Sequence, residues 1–283
     1  MDTSRFLIVG ANGQLGRALQ SKYPKAIAAD RSVLDITNTE SVEKFNWSKI
    51  DVILNAAAYN KVDIAETPEG RRDAWAANAT APAHLARIAT AKNLTLLHVS
   101  TDYVYDGTQP NAHSEDAPLA PLSGYASSKA AGDIAAQVTP NHYVLRTSWV
   151  IGDGPNFVRT MIGLAEKNIS PTVVADQIGR LTFTDTLVEA IDLLITKKAP
   201  VGVYNVSNGG EPGSWAEVTR AIFKALGRED LTVTDTTTEA YFASKPGVAP
   251  RPLNSVFDLS KITAAGLSPR DWRETLVNYV KQQ

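Results

Sequence analysis

The sequence predicts an α/β fold of Rossmann type, in which a doubly wound parallel sheet is followed by a smaller C-terminal α/β part. Short apolar runs alternate with helical segments through the first half of the chain, and the first run ends in a cluster of glycines. After about residue 150 this alternation loosens. We therefore expect one domain over residues 1–150 and a second mainly over 151–283, with segments near 183–207 returning to the first.

Five short apolar runs predict the strands of the first domain, and helical patterns separate them. The predicted strands are RFLIVG, AIAAD, DVILNAAA, LTLLHVST and HYVLRTSWV. The predicted helices cover GQLGRALQSKY, TESVEKF, residues 70–93 and the segment that begins near Tyr125. Strands that alternate with helices in this way form parallel sheets with right-handed crossovers.

The second half predicts four helices, one strand and an ordered loop. The helices are NFVRTMIGLAEKN, TDTLVEAIDLLITKK, GSWAEVTRAIFKALG and SPRDWRETLVNYVKQ, the last starting at its Ser-Pro pair, and the strand is GVYNVSN. The Pro- and Gly-rich stretch FASKPGVAPRPLNSV predicts the loop.

Composition narrows the class of protein. The chain has 283 residues, 43% of them hydrophobic and 20% charged, which is ordinary for a globular protein. A net charge of −2 provides no basic surface for nucleic acid. The absence of cysteine excludes disulfides and zinc–thiolate sites. We find neither a signal-peptide pattern nor an apolar segment of membrane length, so the expected location is the cytoplasm.

The stretch GANGQLG places Gly10, Gly13 and Gly16 between the first strand and the first helix. Glycines at this turn let the backbone approach a pyrophosphate at the helix N-terminus. A glycine-rich turn with no ligand is the alternative, but the strand–turn–helix context favours dinucleotide binding.

Two neighbouring charges follow the second strand. Asp30 can accept hydrogen bonds from the adenosine ribose of NAD, whereas Arg31 can face the 2′-phosphate of NADP. The two residues predict opposite preferences, so the choice of cofactor stays open at this point.

The third strand ends in the stretch NAAAY, residues 55–59. Small side chains at the carboxyl end of a strand let a flat ligand lie against the backbone. Close packing of a helix on the sheet is an equally good explanation for the alanines alone.

Tyr125 and Lys129 stand four residues apart, and therefore on one face of the predicted helix. A lysine ammonium can lower the pKa of a tyrosine hydroxyl towards neutrality, and the Thr101 hydroxyl at the end of the fourth strand can hold a carbonyl oxygen. The three groups suit proton donation to a carbonyl that receives a hydride. A Y-x-x-x-K pair alone is more often a solvated surface pair.

The remaining histidines and tryptophans give weaker signals. The four histidines have no metal-like spacing, and His98 lies in an apolar run typical of a core residue. Trp215 and three other tryptophans are typical of packing residues, whereas Trp149 follows the fifth strand at the predicted ligand edge. We predict no metal site.

Eight motifs together carry a resemblance to a known family. They are GANGQLG, NAAAY, STDYVYDG, YASSK, RTSWVIG, NFV, DQIGRLT and APRPLNS, and they span nearly the whole chain in order. The set resembles the dTDP-4-dehydrorhamnose reductases, which are extended short-chain dehydrogenase/reductases. The resemblance implies NADPH- or NADH-dependent reduction of the 4-keto group of dTDP-4-dehydro-L-rhamnose to dTDP-L-rhamnose.

The resemblance also implies roles for individual residues. The catalytic set is Thr101, Tyr125 and Lys129. The cofactor-binding set is Gly10, Asn12, Gly13, Gln14, Leu15, Gly16, Asp30, Arg31, Asp35, Ile36, Ala57, Ala58, Tyr59, Asn78 and Val99, with Tyr125 and Lys129. The substrate-binding set is Asn60, Val62, Thr101, Asp102, Tyr103, Trp149, Asn156 and Arg251.

Three departures from the family pattern are expected near the sugar pocket: Asn60 in place of Thr, Ile151 in place of Tyr and Leu181 in place of Pro. A nucleotide-sugar epimerase or dehydratase of the same fold, or a non-catalytic NADP-binding regulatory subunit, stays possible. The expected partner is the nucleotide sugar rather than nucleic acid or a membrane, and the chain is expected to be a monomer or a homodimer.

Overall fold

The computed structural model describes all residues, 1–283, as twelve strands and eleven α-helices. The strands are β1 (Phe6–Val9), β2 (Ile27–Ala29), β3 (Val52–Asn55), β4 (Thr95–Thr101), β5 (His142–Thr147), β6 (Val150–Ile151), β7 (Thr172–Val174), β8 (Ile178–Gly179), β9 (Thr182–Phe183), β10 (Gly202–Asn205), β11 (Gly213–Ser214) and β12 (Thr234–Thr236). The helices are α1 (Gln14–Lys22), α2 (Thr39–Lys44), α3 (Pro68–Trp75), α4 (Ala81–Lys92), α5 (Gly124–Gln137), α6 (Phe157–Glu166), α7 (Thr184–Thr196), α8 (Trp215–Ala225), α9 (Thr238–Phe242), α10 (Ser260–Ala265) and α11 (Trp272–Val280).

Six parallel strands form the central sheet, in the order β10-β5-β4-β3-β1-β2. The chain enters this sheet at β1, the second strand from one edge, and the order in which strands are added reverses between β1 and β3. Ligands bind doubly wound sheets at such a switch point, outside the carboxyl ends of the strands. The predicted fold class is therefore confirmed.

Helices cover both faces of the sheet and bury its apolar side chains. One face packs against α1, α7 and α10 through residues such as Leu19, Ile191 and Ile262. The other face packs against α2 and α4 through residues such as Val42 and Leu85. Since both faces are covered, the inner strands are continuously apolar, as buried parallel strands are.

Residues 70–93 are helical throughout, as predicted, but a π-helical turn at Ala76–Thr80 joins α3 to α4. Such turns are frequent at functional sites because they redirect one side chain. Helix α5 packs tightly beside it, since a Cβ atom on Gly132 would lie only 1.9 Å from the Asn78 carbonyl oxygen. The small residues of α5 allow this close approach.

The C-terminal part has its own core of sixteen buried residues, centred on Trp272 and Phe223. Three two-stranded sheets, β11-β8, β12-β7 and β6-β9, surround it. None of these short pairs was predicted, because two or three residues carry no readable periodicity. The predicted start of the last helix at Ser-Pro is wrong: α11 begins at Trp272, where the Asp271 side chain accepts a hydrogen bond from the Arg273 amide.

Two segments from the second half return to the sheet. Strand β10 pairs with β5, and α7 packs beside α1. The division of the chain near residue 150 stays a prediction. None of the helices has the length and apolar character needed to span a lipid bilayer.

Candidate active site

Two connected clefts lie along the carboxyl edge of the sheet. The first has a volume of about 320 Å³ and the second about 390 Å³. Gly13, Ala56, Ala58 and Asn60 line both clefts, so one continuous groove runs from the ends of β1 and β2 to the ends of β4 and β5. A long ligand can therefore reach both halves at once.

The glycine turn after β1 forms a cradle that only glycine permits. Gly10 has a φ of +78°, and a Cβ atom there would lie 2.6 Å from the Ala57 nitrogen. A Cβ on Gly16 would lie 2.1 Å from the Gly10 carbonyl oxygen. Gly13 begins α1 without a side-chain cap, which leaves the amides of the first turn available to an anion. The turn therefore fits a dinucleotide pyrophosphate.

Charged and apolar residues form the outer wall of the first cleft: Asn12, Asp30, Arg31, Asp35 and Ile36 all line it. The Asn12 amide donates a hydrogen bond of 3.2 Å to one Asp30 oxygen. The structure thus brings the predicted adenosine-side residues together.

Ala57 and Ala58 also line the groove, whereas Tyr59 and Asn78 lie behind it. The Asn78 oxygen accepts a 2.8 Å hydrogen bond from the Tyr59 amide, and its nitrogen donates to the Tyr59 carbonyl and to the Ser128 hydroxyl, each at 3.1 Å. Asn78 sits in the π-helical turn described above. Its side chain therefore links the chain segment at Tyr59 to helix α5.

The predicted catalytic residues lie together in the second cleft. Thr101 at the end of β4 and Tyr125 and Lys129 on α5 all line it, with Val99 beside them. The buried Lys129 ammonium donates a 2.7 Å hydrogen bond to the Val99 carbonyl. Helix α5 begins with the Ser123 side chain accepting from the Ala126 amide, which fixes the first turn where Tyr125 stands.

The electrostatics differ from the expectation that Lys129 lowers the pKa of Tyr125. The pKa of Tyr125 is instead raised, because burial penalises the phenolate and the negative charge of Asp102 opposes it further. Burial also lowers the pKa of Lys129 to about 8, so it remains mainly protonated at pH 7. The tyrosine is therefore neutral and carries a proton, and a buried cation, Lys129, lines the same cleft.

Asp102 is a buried carboxylate held by two hydroxyl groups. Thr101 donates a 2.9 Å hydrogen bond to one carboxylate oxygen, and Ser255 donates a 2.5 Å hydrogen bond to the other. Burial nevertheless raises the pKa of Asp102 to about 6. Ser255 was not predicted as a site residue, because only the fold brings the C-terminal loop to the end of β4.

Two tryptophans form the far wall of the second cleft. The Trp149 and Trp215 rings stack with centroids 3.7 Å apart, and both line the cleft. Trp149 has a φ of +47°, a backbone conformation that bulky residues rarely adopt and that surrounding contacts must hold. A Cβ on Gly179 would lie 2.9 Å from the Trp149 ring, so glycine makes room for it. Trp215 packs against the C-terminal core, as predicted, and also lines the cleft, which was not predicted.

The other predicted substrate residues divide into two groups. Val62 and Tyr103 line the second cleft, and the Tyr103 ring meets the Tyr125 ring edge-on at 5.5 Å. Asn156 is outside both clefts, where its amide nitrogen donates to the Gly152 and Gly154 carbonyls and helps to hold the start of α6.

Arg251 lies in a third, mainly apolar cavity of about 440 Å³ that shares Trp215 with the second cleft. Its guanidinium donates to the Asp63 carboxylate at 2.8 Å and lies over the Phe242 ring, 4.7 Å from the centroid. Arg251 therefore does not line the cleft of the predicted catalytic residues, although its charge acts on Tyr103, which does.

Side chains of the glycine turn also connect the two halves of the protein. Gln14 and Leu15 line the second cleft, and the Gln14 oxygen accepts a 2.8 Å hydrogen bond from the Gly152 amide. Of the three departures from the family pattern, only Asn60 lines the groove. Ile151 and Leu181 are buried in the C-terminal core and line neither cleft, although Ile151 directly follows Val150, which lines the second.

His98 is buried in β4, where its Nδ1 lies 3.0 Å from the Asn55 amide nitrogen and its Nε2 has no partner. Burial holds the pKa of His98 well below its usual value. It is thus a neutral core residue. The structure contains no cluster of three or more histidine or acidic side chains arranged to hold a metal ion.

The chain is similar to known proteins along nearly its whole length. Residues 4–283 match the family model described as the RmlD substrate binding domain. A dTDP-4-dehydrorhamnose reductase of Aggregatibacter actinomycetemcomitans is 38% identical over 292 aligned residues, which cover 97% of this chain and 98% of the relative.

Two solved structures are similar along their whole length. A dTDP-4-dehydrorhamnose reductase of Clostridium acetobutylicum has a TM-score of 0.91 and 36% identity, with 98% of each chain covered. The dTDP-4-dehydrorhamnose reductase of Bacillus anthracis, solved in complex with NADP, has a TM-score of 0.90 and 33% identity, with 99% of each chain covered. This chain therefore belongs to the RmlD substrate-binding domain family, as its motifs predicted.

Proposed function

We propose that this protein reduces the 4-keto group of dTDP-4-dehydro-L-rhamnose with NADPH or NADH, giving dTDP-L-rhamnose. One observation carries the proposal: Thr101, Tyr125 and Lys129 line a single cleft that continues into the glycine cradle. A carbonyl placed beside the tyrosine would therefore lie within reach of a dinucleotide held by that cradle.

The residues that would hold the dinucleotide are those of the first cleft and its junction with the second. The amides at the start of α1 would bind the pyrophosphate, and Ala57 and Ala58 leave space for a flat ring against the backbone. A reduced nicotinamide bound there would supply the hydride.

Tyr125 would supply the proton. Its raised pKa keeps the hydroxyl protonated at neutral pH, which is the form that a proton donor requires. The buried Lys129 ammonium would stabilise the phenolate that remains after proton transfer. The high tyrosine pKa thus holds the proton until a stronger base, the alkoxide, forms beside it.

The sugar would lie between the end of β4 and the tryptophan wall. Thr101 would orient the carbonyl oxygen, and Asp102 has unused lone pairs that can accept from a sugar hydroxyl. Trp149 offers an apolar surface for the ring. Arg251 would hold the diphosphate, because a guanidinium matches phosphate geometry.

The test is oxidation of NADH and NADPH, followed by absorbance, with dTDP-4-dehydro-L-rhamnose generated in the assay. Tyr125→Phe should lower kcat by about 1,000-fold, the middle of the range of about 100- to 10,000-fold for a lost general acid, with cofactor affinity unchanged. Tyr143→Phe is the matched control, because that hydroxyl bonds the Ala199 carbonyl at the opposite end of the sheet. Near-normal turnover by Tyr125→Phe would refute Tyr125 as the proton donor.

One observation favours a second candidate, a nucleotide-sugar dehydratase or epimerase. Asp102 lies beside Thr101, and its pKa of about 6 would let it act as an additional acid. Such an enzyme recycles its cofactor, so stoichiometric consumption of NADH or NADPH excludes it. Cofactor binding with no turnover of any keto-sugar would favour the non-catalytic regulatory subunit instead.

A further inference from the structure

We propose that Ser255 is a positioning residue, which holds the Asp102 side chain as a hydrogen-bond acceptor for the nucleotide sugar. The inference rests on the proposed function in one respect, the placement of the sugar against the end of β4. Asp102 follows β4 and lines the second cleft, whereas Ser255 belongs to the loop before α10 and does not line it. Ser255 would therefore act on the sugar only through Asp102.

The backbone around Ser255 is held on two sides. The Ser255 amide donates a 2.8 Å hydrogen bond to the Ile178 carbonyl of β8, and the Asn254 amide donates a 3.1 Å hydrogen bond to the Gly107 carbonyl beyond β4. The Asn254 side chain donates to two further carbonyls of the β4–α5 connection, at 2.8 and 3.0 Å. Because both halves of the protein hold this loop, the Ser255 hydroxyl reaches Asp102 from a fixed backbone.

The hydrogen bond between Ser255 and Asp102 is buried, since each residue is only 3% exposed. The Ser255 hydroxyl donates to one carboxylate oxygen at 2.5 Å, and the Thr101 hydroxyl donates to the other at 2.9 Å. Burial raises the pKa of Asp102 to about 6, and the hydrogen bond from Ser255 opposes this rise more than any other contact. Removal of the Ser255 hydroxyl should therefore raise the pKa of Asp102 further.

The protonation state of Asp102 decides what this side chain can offer to a sugar. An ionised carboxylate only accepts hydrogen bonds, whereas a protonated one also donates. A hydrogen bond to the ionised form is about twice as strong as one between neutral groups. A sugar hydroxyl that donates to Asp102 is therefore bound best by the form that Ser255 stabilises. By the same effect, Ser255 works against the use of Asp102 as an additional acid.

Two tyrosines interact with the charge of this carboxylate, Tyr103 and Tyr125. Both are neutral at neutral pH, because burial and that charge raise their pKa values. The elements around the carboxylate also carry the following charged or titratable groups: Lys129, His113, Arg251 and Asp63. Lys129 is mainly protonated below its pKa of about 8, and burial lowers the pKa of His113. A transition near pH 6 must therefore be assigned by a signal from the carboxyl group itself.

The first experiment is an NMR titration of the full-length protein labelled with carbon-13 in its aspartate carboxyl groups. The Asp102 signal is assigned by its loss in Asp102→Asn. Ser255→Ala should raise the midpoint of this signal by about one pH unit, a 10-fold change in proton affinity, because the carboxylate loses a charge-assisted hydrogen bond. Ser207→Ala is the matched control, since that buried hydroxyl donates to a neutral carbonyl, that of Asn208, and should leave the midpoint unchanged.

The second experiment measures KM for dTDP-4-dehydro-L-rhamnose as a function of pH. In the wild type KM should rise as pH falls through the pKa of Asp102, because the acceptor becomes protonated. In Ser255→Ala the same rise should begin about one pH unit higher, whereas at about pH 8 the two KM values should agree within about 2-fold. A purely structural role of Ser255 would instead change KM equally at every pH.

A double variant shows whether Ser255 acts through Asp102. In the Asp102→Asn background, Ser255→Ala should change KM by less than about 2-fold at any pH, because the charge that it stabilises is absent. A full additional rise in KM there, or an unchanged carboxyl midpoint in Ser255→Ala, would overturn the proposal. A shifted midpoint in a protein that does not reduce the keto-sugar would leave the link between Ser255 and Asp102 intact and refute the proposed reaction instead.

Discussion

The two clefts are built in different ways, although they form one groove. The first is shaped largely by backbone, since Gly10, Gly13 and two alanines leave space where side chains would stand. The second is walled by side chains from distant parts of the chain, among them Tyr125, Trp149 and Trp215. Substitutions that add atoms should therefore impair the first cleft most, whereas substitutions that remove atoms should impair the second cleft most.

The largest effect on ligand binding should come from adding a single methyl group to the first cleft. Gly10→Ala places a Cβ 2.6 Å from the Ala57 nitrogen and holds alanine at a φ of +78°, so the cradle must distort. We expect about a 100-fold loss of NADH affinity by fluorescence titration. Gly163→Ala is the control, because nothing lies within 4 Å of that site in α6. Unchanged affinity in Gly10→Ala would show that the first cleft does not depend on space left free by the backbone.

The next largest effect should come from removing a side chain that walls the second cleft. Trp215→Ala removes the ring that supports Trp149, so KM for the nucleotide sugar should rise about 10-fold with NADH affinity unchanged. Trp75→Ala, a 43% exposed tryptophan in α3 outside both clefts, should leave KM unaltered. An equal loss of NADH affinity in Trp215→Ala would show that the two clefts are not independent.

The difference between the clefts also explains what the sequence could predict. Gly10, Ala57 and the Tyr125–Lys129 pair belong to short contiguous motifs, whose spacing is visible before folding. Trp215 stacks on Trp149, and Ser255 bonds Asp102, only because the C-terminal part folds over the sheet. No local pattern marks such pairs.

The same reasoning applies to the fold. The long strands and helices of the sheet were predicted because burial on both faces gives each a continuous apolar run or a helical period. Pairs such as β6–β9 have two residues per strand and owe their existence to neighbouring contacts. The raised pKa of Tyr125 was likewise inaccessible, since it depends on burial and on the nearby Asp102.

The smallest predicted effect concerns stability and pH. The pKa of Asp102 is about 6 in the folded protein against an ordinary 3.8, so the folded state binds a proton more readily between these values. The free energy of unfolding should therefore fall as pH rises from about 4 to about 6, and stay reduced above that. Asp102→Asn should raise the free energy of unfolding by about 1 kcal/mol at pH 8, after allowance for the weakened hydrogen bonds. At pH 4 it should leave that free energy unchanged.

Denaturant unfolding at both pH values would measure this difference. Asp73→Asn, at an exposed position in α3, is the control and should show no such pH dependence. A loss of stability in Asp102→Asn at pH 8 would mean that the hydrogen bonds from Thr101 and Ser255 outweigh the penalty of burying the charge.

The pairing of β10 with β5 limits how this protein can be taken apart. A fragment ending at residue 150 would lack the outer strand of the sheet and the helix α7, whose Leu187 and Ile191 lie in the core. Its β5 edge would then offer free backbone groups beside exposed apolar side chains, a combination that promotes aggregation. A nucleotide-binding module for transfer to another enzyme would therefore have to include residues 184–205.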